Sequence, residues 1–437
     1  MKRYSEYKDS GVKWIGEIPG HWKIVRLKFV TENLDYLREP ISAELRERKN
    51  PQYDYYGASG IIDKIDHYNV DDKVLLIGED GANLLMRNLP LVYRAEGKFW
   101  VNNHAHILKT RLNDYSFFAH LLESQDYTLF VTGTAQPKLS QFNLGNVPLP
   151  ISPINEQKIM GKYLDSKVAK IDEYISIAEK KIAALEELKQ TIIAEAVTRG
   201  IHKDVPMKDS GVKWIGMIPE HWDLIRAQNM VDCRKAGAWG EDSRKDERDR
   251  VCLRIADFDY SICRFKRTGD YTIRNYKQEQ ISSLYLNKGD ILIEKSGGGE
   301  KTPVGRAILY DLDFYQPLYA NFMEKITLRE FASSSFYVYL LRTFYAKGCV
   351  WKYIKQTTGL QNLDLRAMLG SETFPVPPLP EQQEIVTYIE AKVANINQLC
   401  QAERSQIEKL KEYKQRLISD VVTGKVKVTN DSLNGRV

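Results

Sequence analysis

Two long stretches of the chain, residues 163–198 and 388–423, place apolar residues in steps of three and four. In the first stretch the apolar seam comprises Leu164, Val168, Ile171, Ile175, Ala178, Ile182, Leu185, Ile192 and Ala196. The second seam, 225 positions further on, comprises Ile389, Val393, Ile396, Cys400, Glu403, Ile407, Leu410, Leu417 and Val421. This seven-residue period predicts an α-helix that packs against a second helix. Neither stretch contains Pro or Gly, and Gly200 and Gly424 follow as stop signals.

A single helix of this length would leave its apolar face in water, so we expect the two helices to pair with each other. Each predicts a rod of roughly 50 Å at about 1.5 Å per residue. Lys189 and Lys414 occupy the one polar seam position that both helices share, and Glu403 interrupts the second seam only. Buried lysines could fix the register of the pair. We favour the alternative, in which they extend their ammonium groups to the edge of the rod.

The remaining sequence repeats as well. The nine residues KDSGVKWIG occupy positions 8–16 and 208–216, and both copies continue into I-P-x-H-W. Each helix stretch is preceded by Glu-Gln, at positions 156–157 and 381–382. The first motif recurs after 200 positions and the second after 225, so the second copy holds 25 additional residues. The chain is therefore a tandem duplication of one domain-sized unit, far longer than a solenoid repeat.

Between these motifs the pattern predicts a mixed α/β segment in each copy. Residues 74–80, 104–110, 289–299 and 305–311 have the composition of strands, and residues 115–124 and 334–343 that of helices. The proline-rich stretches 147–153 and 374–380 are expected to be boundaries without a strand ladder. The predicted fold class is α+β: two globular domains separated by two long antiparallel α-helices that form a coiled coil with pseudo-twofold symmetry. We divide the chain into domains at residues 1–153, 154–200, 201–380 and 381–437.

Composition adds two constraints. The formal charge of +5 is mildly basic, which permits a nucleic-acid partner without requiring one. The five cysteines form no C-x-x-C, and no apolar run reaches the length of a membrane span, so we expect a reducing, cytoplasmic location.

The sequence matches the known motifs for catalysis and for cofactor binding poorly. In residues 296–302, Glu300 separates Gly299 from Lys301, which spoils a nucleotide-binding P-loop. His104 and His106 share one face of a predicted strand but have no obvious third metal ligand. The sequence also shows no acidic-Pro-Pro-aromatic tetrapeptide for methyl transfer. We therefore expect a non-catalytic chain with no cofactor and no metal.

Taken together, the duplicated motif, the loops YYGASGII with LLIGEDGAN and KGDILIEKSGGG with PVGRA, and the stretch TTGLQNLD resemble one family. It is the DNA-specificity subunit of type I restriction–modification enzymes. The resemblance implies two target recognition domains, each reading one half of a bipartite, asymmetric double-stranded DNA site. It implies that the helices set the spacing and dock two modification (methyltransferase) subunits and, through them, ATP-dependent restriction subunits. The rival hypothesis is a self-sufficient DNA methyltransferase or nuclease with a duplicated recognition region.

On this interpretation, phosphate contacts come from Lys, Arg and loop N–H groups, and base contacts from Arg, Lys, Asn and Gln. In the first domain the candidates are Tyr56, Gly57, Ser59, Gly60, Asn83, Arg87, Gln136 and Lys138. In the second they are Lys295, Ser296, Gly297, Gly298, Lys301, Arg306, Gln361 and Asn362. The glycines would let the backbone approach DNA closely.

Overall fold

The computed structural model describes residues 3–42, 44, 52–111, 113–133, 136–299, 301–357 and 359–433. The chain forms two compact units, one built from Met1–Glu179 with Arg404–Val437 and the other from Lys180–Glu403. We call them unit 1 and unit 2. Among the described residues, no helix is both long enough and apolar enough to cross a bilayer.

Unit 1 contains strands and helices of the first repeat. The strands are β1 Tyr7–Asp9, β2 Glu17–Pro19, β3 Lys23–Arg26, β4 Thr31–Asn33, β5 Tyr53–Gly57, β6 Gly60–Ile65, β7 Val70–Gly78, β8 Val92–Val101, β9 Ala105–Thr110 and β10 Pro148–Ile151. The helices are α1 Asn83–Met86, α2 Tyr115–Glu123, α3 Gln141–Gly145 and the start of α4 Ile154–Arg199, with 3₁₀ turns at Leu27–Phe29 and Asp35–Leu37.

Unit 2 repeats this order with additions. Its strands are β11 Met207–Asp209, β12 Met217–Pro219, β13 Asp223–Arg226, β14 Val231–Ala236, β15 Glu241–Asp242, β16 Asp249–Leu253, β17 Phe258–Asp259, β18 Arg264–Phe265, β19 Thr272–Asn275, β20 Ile291–Glu294, β21 Ser296–Gly297, β22 Ala307–Leu309, β23 Leu318–Tyr319, β24 Met323–Leu328, β25 Ile354–Thr357, β26 Leu360–Leu363 and β27 Thr373–Val376. Its helices are α5 Gln278–Leu284, α6 Ser334–Ala346, α7 Leu365–Ser371 and the first part of α8 Leu379–Val422, with 3₁₀ turns at Ala227–Met230, Ile255–Asp257 and Cys349–Tyr353. A last helix, α9 Asn430–Leu433, belongs to unit 1.

Each unit is built around a six-stranded sheet. The strand order is β4-β9-β7-β8-β5-β6 in unit 1 and β14-β24-β20-β22-β18-β17 in unit 2. The central strands are β7 and β20, whose apolar runs from Val74 to Ile77 and from Ile291 to Ile293 are at most 1% exposed. A strand buried on both faces requires such a continuous apolar run. A strand or helix overlaps each range predicted from the pattern, although residues 289–299 contain the two short strands β20 and β21 and not one. The α+β class is confirmed. Unit 2 also carries a second sheet of β15, β19, β16 and β23.

The proline-rich stretches are strands, contrary to our prediction. β10 pairs antiparallel with β3, and β27 pairs in the same way with β13. In β10 the prolines sit at alternate positions, Pro148 and Pro150. Alternate N–H groups of a two-stranded ribbon point away from the partner strand, so a proline at these positions loses no ladder hydrogen bond.

The two long helices pair in both units, and within unit 2 the pairing is antiparallel, as predicted. In unit 2, Lys181 of α4 contacts Glu403 of α8 at 2.5 Å, and further along α4 Lys189 contacts Asn397 at 3.1 Å. In unit 1, Lys414 of α8 contacts Asp172 of α4 at 2.6 Å. Seam residues of both helices contribute to the core of each unit. The glutamate that interrupts the second seam is thus neutralised by a lysine from the partner helix.

The prediction for the shared lysines holds for only one of them. Lys414 keeps 30% of its side chain exposed. Lys189 is 1% exposed and lies 2.5 Å from the carboxylate of Glu186 in addition to Asn397. It therefore does not extend to the edge of the rod. A buried lysine needs such partners because an unpaired charge in the interior is costly.

A glutamate at the start of each long helix joins the helix to its globular part. In unit 1, Glu156 accepts a hydrogen bond from the indole N–H of Trp22 at 3.1 Å, and Nε2 of His21 lies 2.7 Å from its other oxygen. In unit 2, Glu381 makes the same contacts with Trp222 and His221, at 3.0 and 2.8 Å. This joint explains why H-W and Glu-Gln recur together in the sequence.

The neighbouring glutamine completes each joint. Gln157 accepts a hydrogen bond from the backbone N–H of Asp114 at 2.9 Å, and Gln382 accepts one from Ser333 at 2.7 Å. Asp114 and Ser333 are the N-cap residues of α2 and α6. Both glutamines are at most 1% exposed. The Glu-Gln pair therefore ties two parts of the globular fold to one helix end.

We expect Glu156→Ala to lower the free energy of unfolding by about 1–3 kcal/mol, because the buried Trp22 N–H then has no acceptor. The matched control is Glu173→Ala, an exposed glutamate on the same helix. Urea unfolding followed by circular dichroism measures both. Equal unfolding midpoints for the two variants would show that the joint does not stabilise the fold.

Candidate DNA interface

Three loops meet at one end of the central sheet in unit 1. Asp80, shortly after β7, forms an isolated antiparallel bridge with Lys138 in the segment before α3. The backbone N–H of Leu139 donates to the carbonyl of Glu79 at 2.7 Å. The β5–β6 turn approaches so closely that a Cβ on Gly78 would lie 2.7 Å from the carbonyl oxygen of Ala58. Glycine is therefore required here, and the loops form one continuous surface.

The charges of this surface are paired. Glu79 is 7% exposed and is contacted by Arg38 and, at 3.0 Å, by Lys138. Burial acts to raise the pKa of Glu79, but the hydrogen bonds from Arg38 and Lys138 outweigh it and hold the pKa below its usual range. Asp80 contacts Nδ1 of His104 at 2.7 Å. Lys138 itself remains 56% exposed, so its ammonium group is available to a ligand.

The corresponding loops of unit 2 form a small sheet of β21, β26 and β25. Its register places Ser296 opposite Asn362, and Asn362 opposite Lys355. Residues directly opposite in a ladder project to the same face, so these three side chains form a row. The hydroxyl of Ser296 donates to Asn362 at 2.6 Å, whereas Lys355 is 74% exposed and contacts Asp364 at 2.8 Å.

The loops of the two units share a backbone hydrogen bond at the same place. Leu363 N–H donates to the carbonyl of Lys295 at 2.8 Å, as Leu139 does to Glu79. In each unit the next residue, Asp364 or Ser140, caps the following helix. The side chains at matched positions differ: Glu79, Asp80 and Lys138 in unit 1 correspond to Lys295, Ser296 and Asn362 in unit 2. One backbone frame thus presents two different sets of hydrogen-bonding groups.

Some predicted residues do lie on these surfaces. Ser59, Gln136 and Lys138 are exposed in unit 1; Gly298, Lys301 and Asn362 are exposed in unit 2. Lys295, Ser296 and Gly297 are partly exposed beside them, and Lys295 contacts Glu324 at 3.3 Å. Whether these residues contact DNA stays a prediction.

Other predicted side chains are used within the protein, which corrects our candidate set. Tyr56 packs edge-on against Phe99 in the core, and Gln361 is 1% exposed and accepts from the N–H of Val304 at 3.3 Å. Burial raises the pKa of Tyr56 above its usual value. Gln361 points inward because alternate residues of β26 face opposite sides of the strand. Tyr56 is buried next to the likewise buried Tyr55, at a shift in the register between β5 and β6.

The remaining candidates hold loops in place. Asn83 accepts from the N–H of Leu89 at 2.8 Å, and Arg87 contacts Glu123 at 3.1 Å. Gly57 and Gly60 flank the β5–β6 turn, and Gly60 has a φ of +91° with no room for a Cβ beside Tyr93. The side chains of Asn83 and Arg87 therefore shape the surface, and close approach of DNA to the backbone at Gly57 and Gly60 stays a prediction.

Arg306 also has an internal partner. Its guanidinium binds the carboxylate of Glu294 through two hydrogen bonds and lies 3.9 Å from the ring centroid of Tyr260. Glu294 is 2% exposed. A buried carboxylate needs such a partner, so Arg306 primarily stabilises the end of β20.

The two histidines considered as metal ligands have separate partners. His104 contacts Asp80, whereas the buried His106 contacts Asp35 at 2.6 Å and the carbonyl of Leu139 at 2.7 Å. Burial acts to raise the pKa of Asp35, but its hydrogen bond and charge interaction with His106 prevail and lower it. Within the described part of the chain, no three His, Cys, Asp or Glu side chains come together as a metal site.

Comparisons with known proteins agree with this architecture. The family described as the type I restriction modification DNA specificity domain matches residues 19–187 and 248–409. The chain belongs to this family. It is 24% identical over 437 residues to the type I restriction enzyme MjaVIII specificity subunit of Methanocaldococcus jannaschii. The match covers 97% of this chain and 98% of the relative.

Two further similarities support the assignment. A putative type I restriction enzyme specificity subunit of Haemophilus influenzae is 34% identical over 154 residues, which cover 35% of this chain and 38% of the relative. A solved structure described as showing complex assembly and conformational transition of the type I R-M system covers 94% of this chain and 99% of its own. Its TM-score is 0.66 at 16% sequence identity, so the likeness concerns the fold.

Our sequence-based candidates do not include several residues of these loop surfaces. Glu79, Asp80 and Lys355 were not singled out, although Glu79 and Asp80 directly follow the central strand, as Lys295 and Ser296 do in the second repeat.

We expect Arg306→Ala to lower the free energy of unfolding by roughly 3 kcal/mol, because it leaves the buried Glu294 without its cation. Lys301→Ala, at an exposed position in the same loop, is the control and should unfold like the wild type. Thermal melts of both variants provide the measurement. A wild-type melt for Arg306→Ala would indicate that the arginine is free to serve another role.

Proposed function

We propose that each unit of the specificity chain reads one half of a bipartite, asymmetric DNA site. The observation that carries this proposal is the shared backbone frame with different side chains at matched positions. Two identical frames with identical side chains would favour a symmetric site, whereas unlike side chains favour two different half-sites.

The exposed groups have the chemistry of base readout. In unit 1, Gln136 offers an amide suited to adenine and Lys138 offers an ammonium group suited to guanine. In unit 2, Asn362 offers an amide, and Ser296 and Lys355 flank it in the row across the small sheet. Amides that bind a base edge through two hydrogen bonds discriminate by about 1–3 kcal/mol.

The paired helices serve as the spacer in this proposal. Antiparallel contacts such as Lys181 with Glu403 give the helices a fixed register. A duplicated chain also offers two equivalent docking surfaces, which suits two methyltransferase subunits. Restriction subunits would join through them. Methyl transfer and cleavage are performed by these partners, and the specificity chain supplies recognition without catalysis. The names of its relatives, as specificity subunits of restriction enzymes, support this division of labour.

The test is a comparison of methylated genome positions in the host with and without this gene, followed by variants. The proposal predicts a motif of two unlike halves separated by a fixed gap. Gln136→Ala should relax base preference in one half only, and Asn362→Ala in the other, by about tenfold or more at the affected base pair. Gln415→Ala, at an exposed position on α8, is the matched control.

A single continuous motif, or loss of preference in the same half with both variants, would contradict the assignment of one half-site to each unit.

The rival enzyme hypothesis is tested by incubating the purified chain with DNA and a labelled methyl donor. Transfer without any partner would favour that rival.

A further inference from the structure

The two copies of KDSGVKWIG form the same hairpin in their respective units. β1 pairs with β2, and β11 with β12, in equivalent registers. In the first loop, Gly11 N–H donates to Asp9 at 2.9 Å and Val12 N–H to the Ser10 hydroxyl at 3.1 Å. The second loop repeats these bonds at 3.0 and 3.1 Å.

The fold accounts for most of the repeated letters. Asp9 and Ser10 hold the turn through the bonds above, and Gly11 and Gly16 have φ of +69° and +72°, where a side chain would be strained. Ile15 is 1% exposed. The same requirements apply in the second copy, where the glycines have φ of +68° and +76°.

The lysines of the motif have no such explanation. Lys8 and Lys13 are exposed, and in the second copy Lys213 is exposed and Lys208 partly so. None of the four has an ion-pair partner among the described residues. The acids nearby are not repeated: Glu17 corresponds to Met217, and Glu6 to Pro206. Asp9 is repeated, but it is engaged in the turn. What the two hairpins share beyond the needs of folding is therefore positive charge.

In unit 1, further positively charged residues line a recess together with Lys13 of the hairpin. Arg3, Lys13 and Lys425 line a recess of about 250 Å³ together with Tyr7 and Glu17. In the second repeat the residue that corresponds to Arg3 is Lys203, which is also exposed. Positively charged groups thus precede and follow the first strand of both hairpins.

We infer that the two hairpins bind the DNA phosphate backbone without regard to sequence, an inference that rests on the proposed DNA-reading function. The readout loops differ between units because the half-sites differ, but phosphates carry the same charge at every sequence. Two hairpins that bind phosphates at the two half-sites therefore carry the same cations, whereas the loops that read the bases differ. Phosphate contacts of this kind position a protein, whereas base contacts specify the site.

The experiment measures binding of the full chain to a random-sequence duplex across about 50 to 200 mM salt. One variant combines Lys8→Gln with Lys13→Gln, and the other combines Lys208→Gln with Lys213→Gln. The slope of log affinity against log salt concentration falls by about 0.9 for each phosphate contact removed. We expect each double variant to flatten the slope by about 1 to 2, and the two effects to add.

The control is Lys170→Gln with Lys180→Gln, exposed positions on α4 that carry the same change in charge. It should keep the wild-type slope, and thermal melts should show that all variants remain folded. A wild-type slope in both hairpin variants overturns the inference and leaves the proposed function intact. A wild-type slope with loss of copurifying methyltransferase would assign the hairpins to protein docking, which also overturns it. If the wild-type chain binds no duplex, both the inference and the proposed function fail.

Discussion

The joint at the start of each long helix holds the helix and the globular part of its unit together. There a glutamate accepts the indole N–H of a buried tryptophan, and the next residue, a buried glutamine, accepts the N–H of a helix N-cap. Each joint connects the opening motif, the globular part and the long helix within its unit. The tryptophan and the glutamate are more than 100 residues apart in sequence, whereas the glutamine and the N-cap residue are 43 residues apart in unit 1 and 49 in unit 2. The letters H-W and E-Q occur in both copies, and in both copies they make these same contacts.

A second contact supports each joint. In unit 1, Asp165 on α4 binds Arg94 at 2.8 Å and His120 at 2.8 Å. At the position 225 residues later, Glu390 on α8 binds Arg264 at 2.8 Å. The helix thus supplies a carboxylate at the same place in both repeats, while each globular part supplies its own cation.

The sequence predicted the regular parts of this frame well, because they depend on local periodicity. The heptads predicted paired helices, and the apolar runs predicted β7, β9, β20 and β22. Side-chain roles in the loops were harder to predict because they depend on distant partners. Arg306 looked like a free cation until Glu294 was placed beside it, and Gln361 looked like an exposed amide until the register of β26 turned it inward. Lys189 was misjudged for the same reason, since Asn397 lies on the other helix.

We propose that the helix pair sets the distance between two unlike half-sites. The most direct measurement inserts one heptad between Glu179 and Lys180 and another between Glu403 and Arg404, then maps the methylated motif in the host. We expect unchanged half-sites and a gap longer by about three base pairs, since seven helical residues add about 10 Å. An insertion into α4 alone is the control, and it should abolish recognition by breaking the register. An unchanged gap with both heptads present would show that the helix pair does not set the spacing.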